Sequence, residues 1–135
     1  MKVLLDTHIL IWAHTNSSRL SAKAVNLIQR PGNEVFYSSV SIWETEIKYL
    51  RDKAGFPISG EVLATFCALS GMRCLPLKPE HSLLLKTLSY AAAAPRPHKD
   101  PFDRILICQA KAENMLFVTH DELIPYYNEQ CVVPV

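Results

Sequence analysis

The chain has 135 residues, of which 49% are apolar and 20% charged, and its formal net charge is +1. That length suits one domain spanning 1–135, and the composition excludes a disordered or fibrous chain. A charge so near zero excludes an overall basic surface, so any polyanionic partner has to be held by a local patch.

The opening segment MKVLLDTHILIW is apolar but is interrupted by Asp6 and His8, and no small-residue cleavage site follows it. It reads neither as a signal peptide nor, being far short of roughly 20 uncharged residues, as a membrane span. A soluble protein is expected. Cys67, Cys74, Cys108 and Cys131 form no C-x-x-C pair and no cysteine–histidine zinc spacing. Each sits in an apolar stretch, so all four read as buried reduced thiols, which suits a cytoplasmic location.

In chain order, residues 2–5 form a short continuous apolar run, as in a buried strand. Residues 20–29 have helical spacing at Leu20, Ala24, Leu27 and Ile28 and stop at the breaker pair Pro31-Gly32. Residues 35–38 read as a second strand and 41–51 as a helix. A further helix is expected over 61–69, a third strand over 73–75, and a helix over 79–88. Three prolines make 94–101 a loop. A helix over 102–113, a strand over 116–118 and a weak strand at 132–133 complete the chain. Short apolar strands alternating with helices predict a three-layer α/β/α sandwich around a mostly parallel sheet of four or five strands.

This topology says where the acidic residues go. Loops leave parallel strands at the carboxyl edge, and helices that lead back into the next strand begin there. Asp6 follows the first strand directly. Glu44 falls in the first turn of the helix after the second strand, Asp103 in the first turn of the helix before the fourth, and Asp121 just past the fourth. All four are expected at one edge. Each also has a structural reading: Ser41-x-x-Glu44 is a capping-box pattern, Glu44 can pair with Lys48, Asp100-Pro101 is a cap followed by proline, and Asp121 can cap a short helix over 122–126. Together, however, crowded carboxylates repel one another, and a hard divalent cation removes that cost. A cation so held can activate water against a phosphodiester.

The segments LLDTHILIW, SSVSIWETEIK, HKDPFDRILICQA and LFVTHDELI, in this order and spacing, resemble a PIN domain, and within that family the VapC-type ribonuclease toxins of type II toxin–antitoxin pairs. The resemblance spans almost the whole chain, and residues 55–90 carry little of it. It implies a PIN-like fold and a metal-dependent endoribonuclease that hydrolyses RNA with Mg²⁺ or Mn²⁺ as cofactor. It puts the family's catalytic acids on Asp6, Glu44, Asp103 and Asp121, with Asp6 and Asp103 as direct metal ligands. Glu44 would complete that shell or hold a water, and Asp121 would stand behind it or serve a second ion. Thr7, Ser39 and Thr119 would orient the carboxylates, and Asp100 would cap its helix beside them. The resemblance also implies a small VapB-like antitoxin that blocks the acidic pocket, and a homodimer.

Other features are less specific. The RPHK loop (96–99), Arg104, Lys48, Arg51 and Lys53 could hold RNA phosphates or be solvated surface. Trp12, Trp43 and Tyr49 could stack bases, but core or interface packing accounts for them too. His8 and His120 lie next to the acids. A phosphatase would want a second Asp two residues after the first, where His8 stands, and a Gly-rich phosphate loop is lacking. A receiver-like binding module would want an Asp after the third strand, where Lys78 and Pro79 stand. A house-keeping RNA-processing PIN nuclease without an antitoxin, or a non-catalytic metal-binding α/β module, remain as alternatives.

Overall fold

The run Lys2–Leu5 has no polar alternation, and in the computed structural model, which describes residues 1–135, it forms strand β1 with Val3, Leu4 and Leu5 fully buried. The other strands are β2 (Glu34–Ser38), β3 (Arg73–Leu75), β4 (Leu116–Thr119) and β5 (Val132–Pro134). Their order is β3-β2-β1-β4-β5, so β1 is central, and every pairing is parallel. A parallel sheet has to be covered on both faces. On one face Leu4, Phe36 and Phe117 pack with Leu106 and Ile107 of helix α6 (Pro101–Ala112). On the other, Val3, Leu5 and Val118 pack with Ile9 and Leu10 of α1 (Thr7–Thr15) and with Leu63 and Cys67 of α4 (Gly60–Leu69). The result is the expected three-layer α/β/α sandwich.

The helices are α1 (Thr7–Thr15), α2 (Ala22–Gln29), α3 (Ser39–Arg51), α4 (Gly60–Leu69), α5 (Pro79–Leu83) and α6 (Pro101–Ala112), with single 3-10 turns at Leu84–Thr87 and Ile124–Tyr127. No helix is long and apolar enough to cross a membrane.

Several expectations need correction. Helix α1 was not foreseen. Its residues THILIWAHT lack an amphipathic stripe because Thr7, Ile9, Leu10 and Ile11 are all buried, and such a run has no period to read. Asn16, in the left-handed region at φ 51°, ends it and returns its N–H to Trp12 O. Helix α3 starts earlier than expected, at Ser39, and its cap is Ser38 rather than Ser41. Glu44 therefore lies in the second turn, and Ser41 is buried inside the helix, where it cannot form a capping box. The helix expected over 79–88 is a short α5 followed by a 3-10 turn, with Leu83 and Leu85 exposed. The short helix after Asp121 is a 3-10 turn that begins later, at Ile124. All four cysteines are free, but only Cys67 and Cys108 are buried; Cys131 is half-buried and Cys74 is exposed. Cys74 lies on edge strand β3, which has no neighbour on one side.

Ser38 couples the sheet to two helices. Its hydroxyl accepts from Val40 N (3.0 Å), capping α3, and donates to Gln109 Oε1 of α6 (2.5 Å). Ser38→Ala removes a cap and leaves a buried acceptor unpaired. Urea unfolding should show a loss of about 2 kcal/mol, the sum of those two effects. A loss within experimental error of zero would show that α3 is held by packing alone.

Candidate metal and active site

The sheet delivers Asp6 and Thr119 to the same place. β1 and β4 run parallel with Leu5 beside Val118, and the Asp6 N–H extends the ladder to Val118 O at 3.0 Å. Just past the ladder, Thr119 Oγ1 donates to Asp6 Oδ2 (2.6 Å) and accepts from Asp121 N (3.1 Å). One hydroxyl thus ties the first acid to the backbone of the fourth. Asp6 also caps α1, its Oδ1 accepting from Thr7 N at 2.7 Å. Asp121 Oδ1 accepts from Leu123 N (2.7 Å) and Ile124 N (3.2 Å), which turns the chain into the 3-10 segment.

Glu44 enters from α3. It is 1% exposed, so its charge needs partners. Thr7 donates to Glu44 Oε1 at 2.7 Å and shares a 2.9 Å hydrogen bond with Ser41 Oγ. Lys48 Nζ pairs with Glu44 Oε2 at 2.6 Å, one turn on. Lys48 is thereby engaged by the acids instead of standing free for phosphate.

Asp103 enters from α6. Asp100 caps that helix, accepting from Phe102 N (2.8 Å) and Asp103 N (3.3 Å). The Asp103 side chain meets His98: Nε2 lies 3.1 Å from Asp103 Oδ2, while Nδ1 is 2.8 Å from the hydroxyl of Tyr127. One ligand-type atom from each of His98, Asp103 and Asp121 falls within 4.8 Å of the others.

The electrostatics record the crowding. Burial pushes the Asp103 carboxyl up to about 9, with further contributions from Asp6, Asp100, Glu44 and Asp121. Burial also pushes Asp6 up to about 7, against the opposing hydrogen bonds from Thr119 and Thr7 and helped by Glu44 and Asp121. Burial and the neighbouring carboxylates thus favour the protonated form of Asp103. His8 faces the same space. Burial and Lys48 lower its proton affinity, while Glu44, Asp121 and Asp100 partly restore it.

The donor set suits a hard divalent cation: several carboxylate oxygens, kept in place by hydroxyls and helix N-termini. Ligands on opposite sides of an ion at ~2.1 Å lie about 4.2 Å apart, so a spread of 4.8 Å needs only a small contraction.

The four acids expected to meet are therefore brought to one edge, with Thr7 and Thr119 on their oxygens and Asp100 as a cap. Ser39 does not join them; its hydroxyl accepts from Leu77 N (3.1 Å), at the far side of β3. The contact expected of Ser39 is made by Ser41, two residues on. His98 and Tyr127 were missed. The RPHK loop is expected from sequence to hold RNA phosphates or to be solvated surface, whereas the His98 side chain turns inward and is 4% exposed, leaving Arg96 and Lys99 outside. Its position just before D-P-F-D was the available signal. Trp43, 60% exposed, stacks edge-on against Phe102 at 5.3 Å, and Trp12 is half-buried between His8 and His120.

Asp6 and Asp103 bind protons more tightly when folded than when unfolded. The folded state therefore holds the extra protons between the ordinary carboxylate range and about 9, and stability falls as pH rises through that window. Calorimetric Tm of the metal-free protein should drop from about pH 5 to about pH 8. Asp103→Asn should flatten the drop and raise Tm at the alkaline end by at least about 3 °C, the effect of about 1 kcal/mol in a domain of this size. An unchanged slope in the variant would contradict this electrostatic picture.

Comparison with known proteins accords with this architecture. The PIN domain family model matches residues 3–129. No curated protein matches the chain in sequence. Among solved structures, VapBC2 from Rickettsia felis, bound to a DNA fragment from its promoter, aligns with a TM-score of 0.66 at 16% identity, covering 100% of this chain and 98% of that one. VapBC-1 from nontypeable Haemophilus influenzae aligns with 0.63 at 18% identity, covering 99% and 98%. FitAcB from Neisseria gonorrhoeae aligns with 0.61 at 17% identity, covering 96% and 95%. At such identities the likeness is one of fold, whereas the family model covers nearly the whole sequence: the chain belongs to the PIN domain family.

Proposed function

We propose that this protein is a Mg²⁺- or Mn²⁺-dependent endoribonuclease, the toxin half of a VapC-type toxin–antitoxin pair. The observation that carries the reading is the convergence of Asp6, Glu44, Asp103 and Asp121, from four separate segments, on one largely buried edge, where burial and mutual repulsion raise the proton affinity of Asp6 and Asp103. Membership of the PIN family and the fold shared with VapBC and FitAB structures support it.

A divalent ion at this edge would supply a water of lowered pKa and positive charge for the scissile phosphate. The chain's own residues do the rest. Asp6 and Asp103 present oxygens to the ion. Glu44, locked by Thr7 and Lys48, completes that set or holds an ordered water, and Asp121 stands behind it or serves a second ion. Thr119 and Thr7 keep the Asp6 and Glu44 oxygens from swinging away. Trp12, with His8 and His120 at ring-centroid distances of 6.0 and 5.2 Å, forms an aromatic wall at the mouth. Such a wall suits an unstacked base, hence single-stranded or looped RNA.

The partner follows from the same reading: a small VapB-like antitoxin that fills the acidic pocket, in a cytoplasmic setting, with the toxin as a homodimer. Exposed apolar side chains support a protein partner. Trp43, Ile47 and Leu50 lie along one side of α3, and Leu69 at the end of α4 is 84% exposed.

Purified protein should cleave RNA with Mg²⁺ or Mn²⁺ and stop with EDTA. Asp6→Asn should lower cleavage by at least about 10²–10³-fold, as losing one preorganised charge of an active site does. It should leave the fold intact, because asparagine still accepts from Thr7 N and its amide can donate to Thr119. Full cleavage by a folded Asp6→Asn protein would refute the proposal.

A further inference from the structure

We infer that the His98 imidazole is a nitrogen ligand to a divalent ion shared by Asp103 and Asp121, the second-ion role given to Asp121 above, in a mixed oxygen–nitrogen subsite that favours Mn²⁺ over Mg²⁺. The inference rests on the metal-nuclease reading of this edge and deepens it.

Three observations carry it. First, the ring reaches the right place: a nitrogen of His98 and a carboxylate oxygen from each of Asp103 and Asp121 already lie within one ion's reach of each other. Second, the ring is preorganised. Its side chain is 4% exposed, Tyr127 and Tyr90 flank it at ring-centroid distances of 5.3 and 6.1 Å, and the Tyr90 hydroxyl donates to Arg96 O (2.8 Å), pinning the loop. Pro95 and Pro97 stiffen that loop further. A histidine that merely decorated a surface would not be held on every side.

Third, the far nitrogen has the partner that a metal-bound histidine needs. Ligating histidines usually hold their other ring N–H on an oxygen, which selects the tautomer and fixes the ring. Here Nδ1 meets the Tyr127 hydroxyl at 2.8 Å. With Nδ1–H donating to Tyr127, the Nε2 lone pair points at Asp103 and Asp121. In the metal-free protein Nε2 is satisfied by Asp103 instead, at 3.1 Å. Mg²⁺ prefers an all-oxygen octahedron, whereas imidazole suits transition ions, so a nitrogen here tilts the site toward Mn²⁺.

The competing account is that His98 only tethers Asp103. Pulsed electron paramagnetic resonance of the full chain loaded with Mn²⁺ separates the two. The wild-type protein should show nitrogen coupling from a directly bound imidazole. His98→Gln, whose amide can still hydrogen-bond Asp103, should abolish that coupling, and His8→Gln should retain it. In His98→Gln, Mn²⁺ affinity should fall by at least about tenfold, with a clearly smaller loss for Mg²⁺. Wild-type protein that binds Mn²⁺ without nitrogen coupling, or an equal loss for both ions, would overturn the inference and leave the nuclease standing if RNA is still cleaved. Wild-type protein that binds no Mn²⁺ and cleaves no RNA would remove both. Should His98→Gln not fold, nitrogen coupling that survives in both His8→Gln and His120→Gln still decides the matter, and its loss in either one overturns the inference.

Discussion

Several carboxyl groups share one crowded, largely buried space at the carboxyl edge of a parallel sheet, and most of what is distinctive in this chain follows from that constraint. Asp6 and Glu44 are all but fully buried, and Asp103 is 8% exposed. Burial would by itself penalise each charge, and their closeness adds repulsion. Without a cation, protons take up part of the strain, most strongly on Asp103. Crowding of this kind disfavours the charged carboxylates, and a divalent cation would relieve it.

The scaffold tolerates this through small polar residues and helix ends. Asp6 caps α1, and Asp103 lies in the first turn of α6 behind the Asp100 cap, so two helix N-termini direct their partial positive charge at the acids. Thr7, Ser41 and Thr119 are buried hydroxyls whose hydrogen bonds run between segments more than 30 residues apart. Lys48 brings the one full positive charge that touches Glu44. The arrangement is a polar network with most of its members satisfied, built on rigid elements, and it presets the carboxylate geometry before any ligand arrives.

The sheet and the acidic edge were legible in the sequence because they rest on strong, local signals. A short apolar run such as VLL, closed at once by a polar residue, reads as a buried strand, and an acid straight after it emerges at the carboxyl edge. What was not legible depends on contacts between distant segments. Helix α1 is buried on too many sides to show a helical period. Ser38 rather than Ser41 caps α3, and Ser41, inside the helix, hydrogen-bonds Thr7 instead. Ser39 turns its hydroxyl to Leu77 N instead of to the acids. His98 sits in a proline-rich loop whose basic neighbours suggested surface, and only Tyr127, 29 residues on, reveals why it turns inward. Periodicity records which face of an element is buried, but not which partner occupies that face.

The most direct test of the shared-ion account is calorimetric titration of the metal-free protein with Mn²⁺ near neutral pH, in two buffers of different ionisation enthalpy. An ion that replaces protons on the crowded carboxyls must expel them, so the account predicts saturable binding with net release of about one proton or more per ion. Saturable binding with no proton release, or no binding at all, would contradict it.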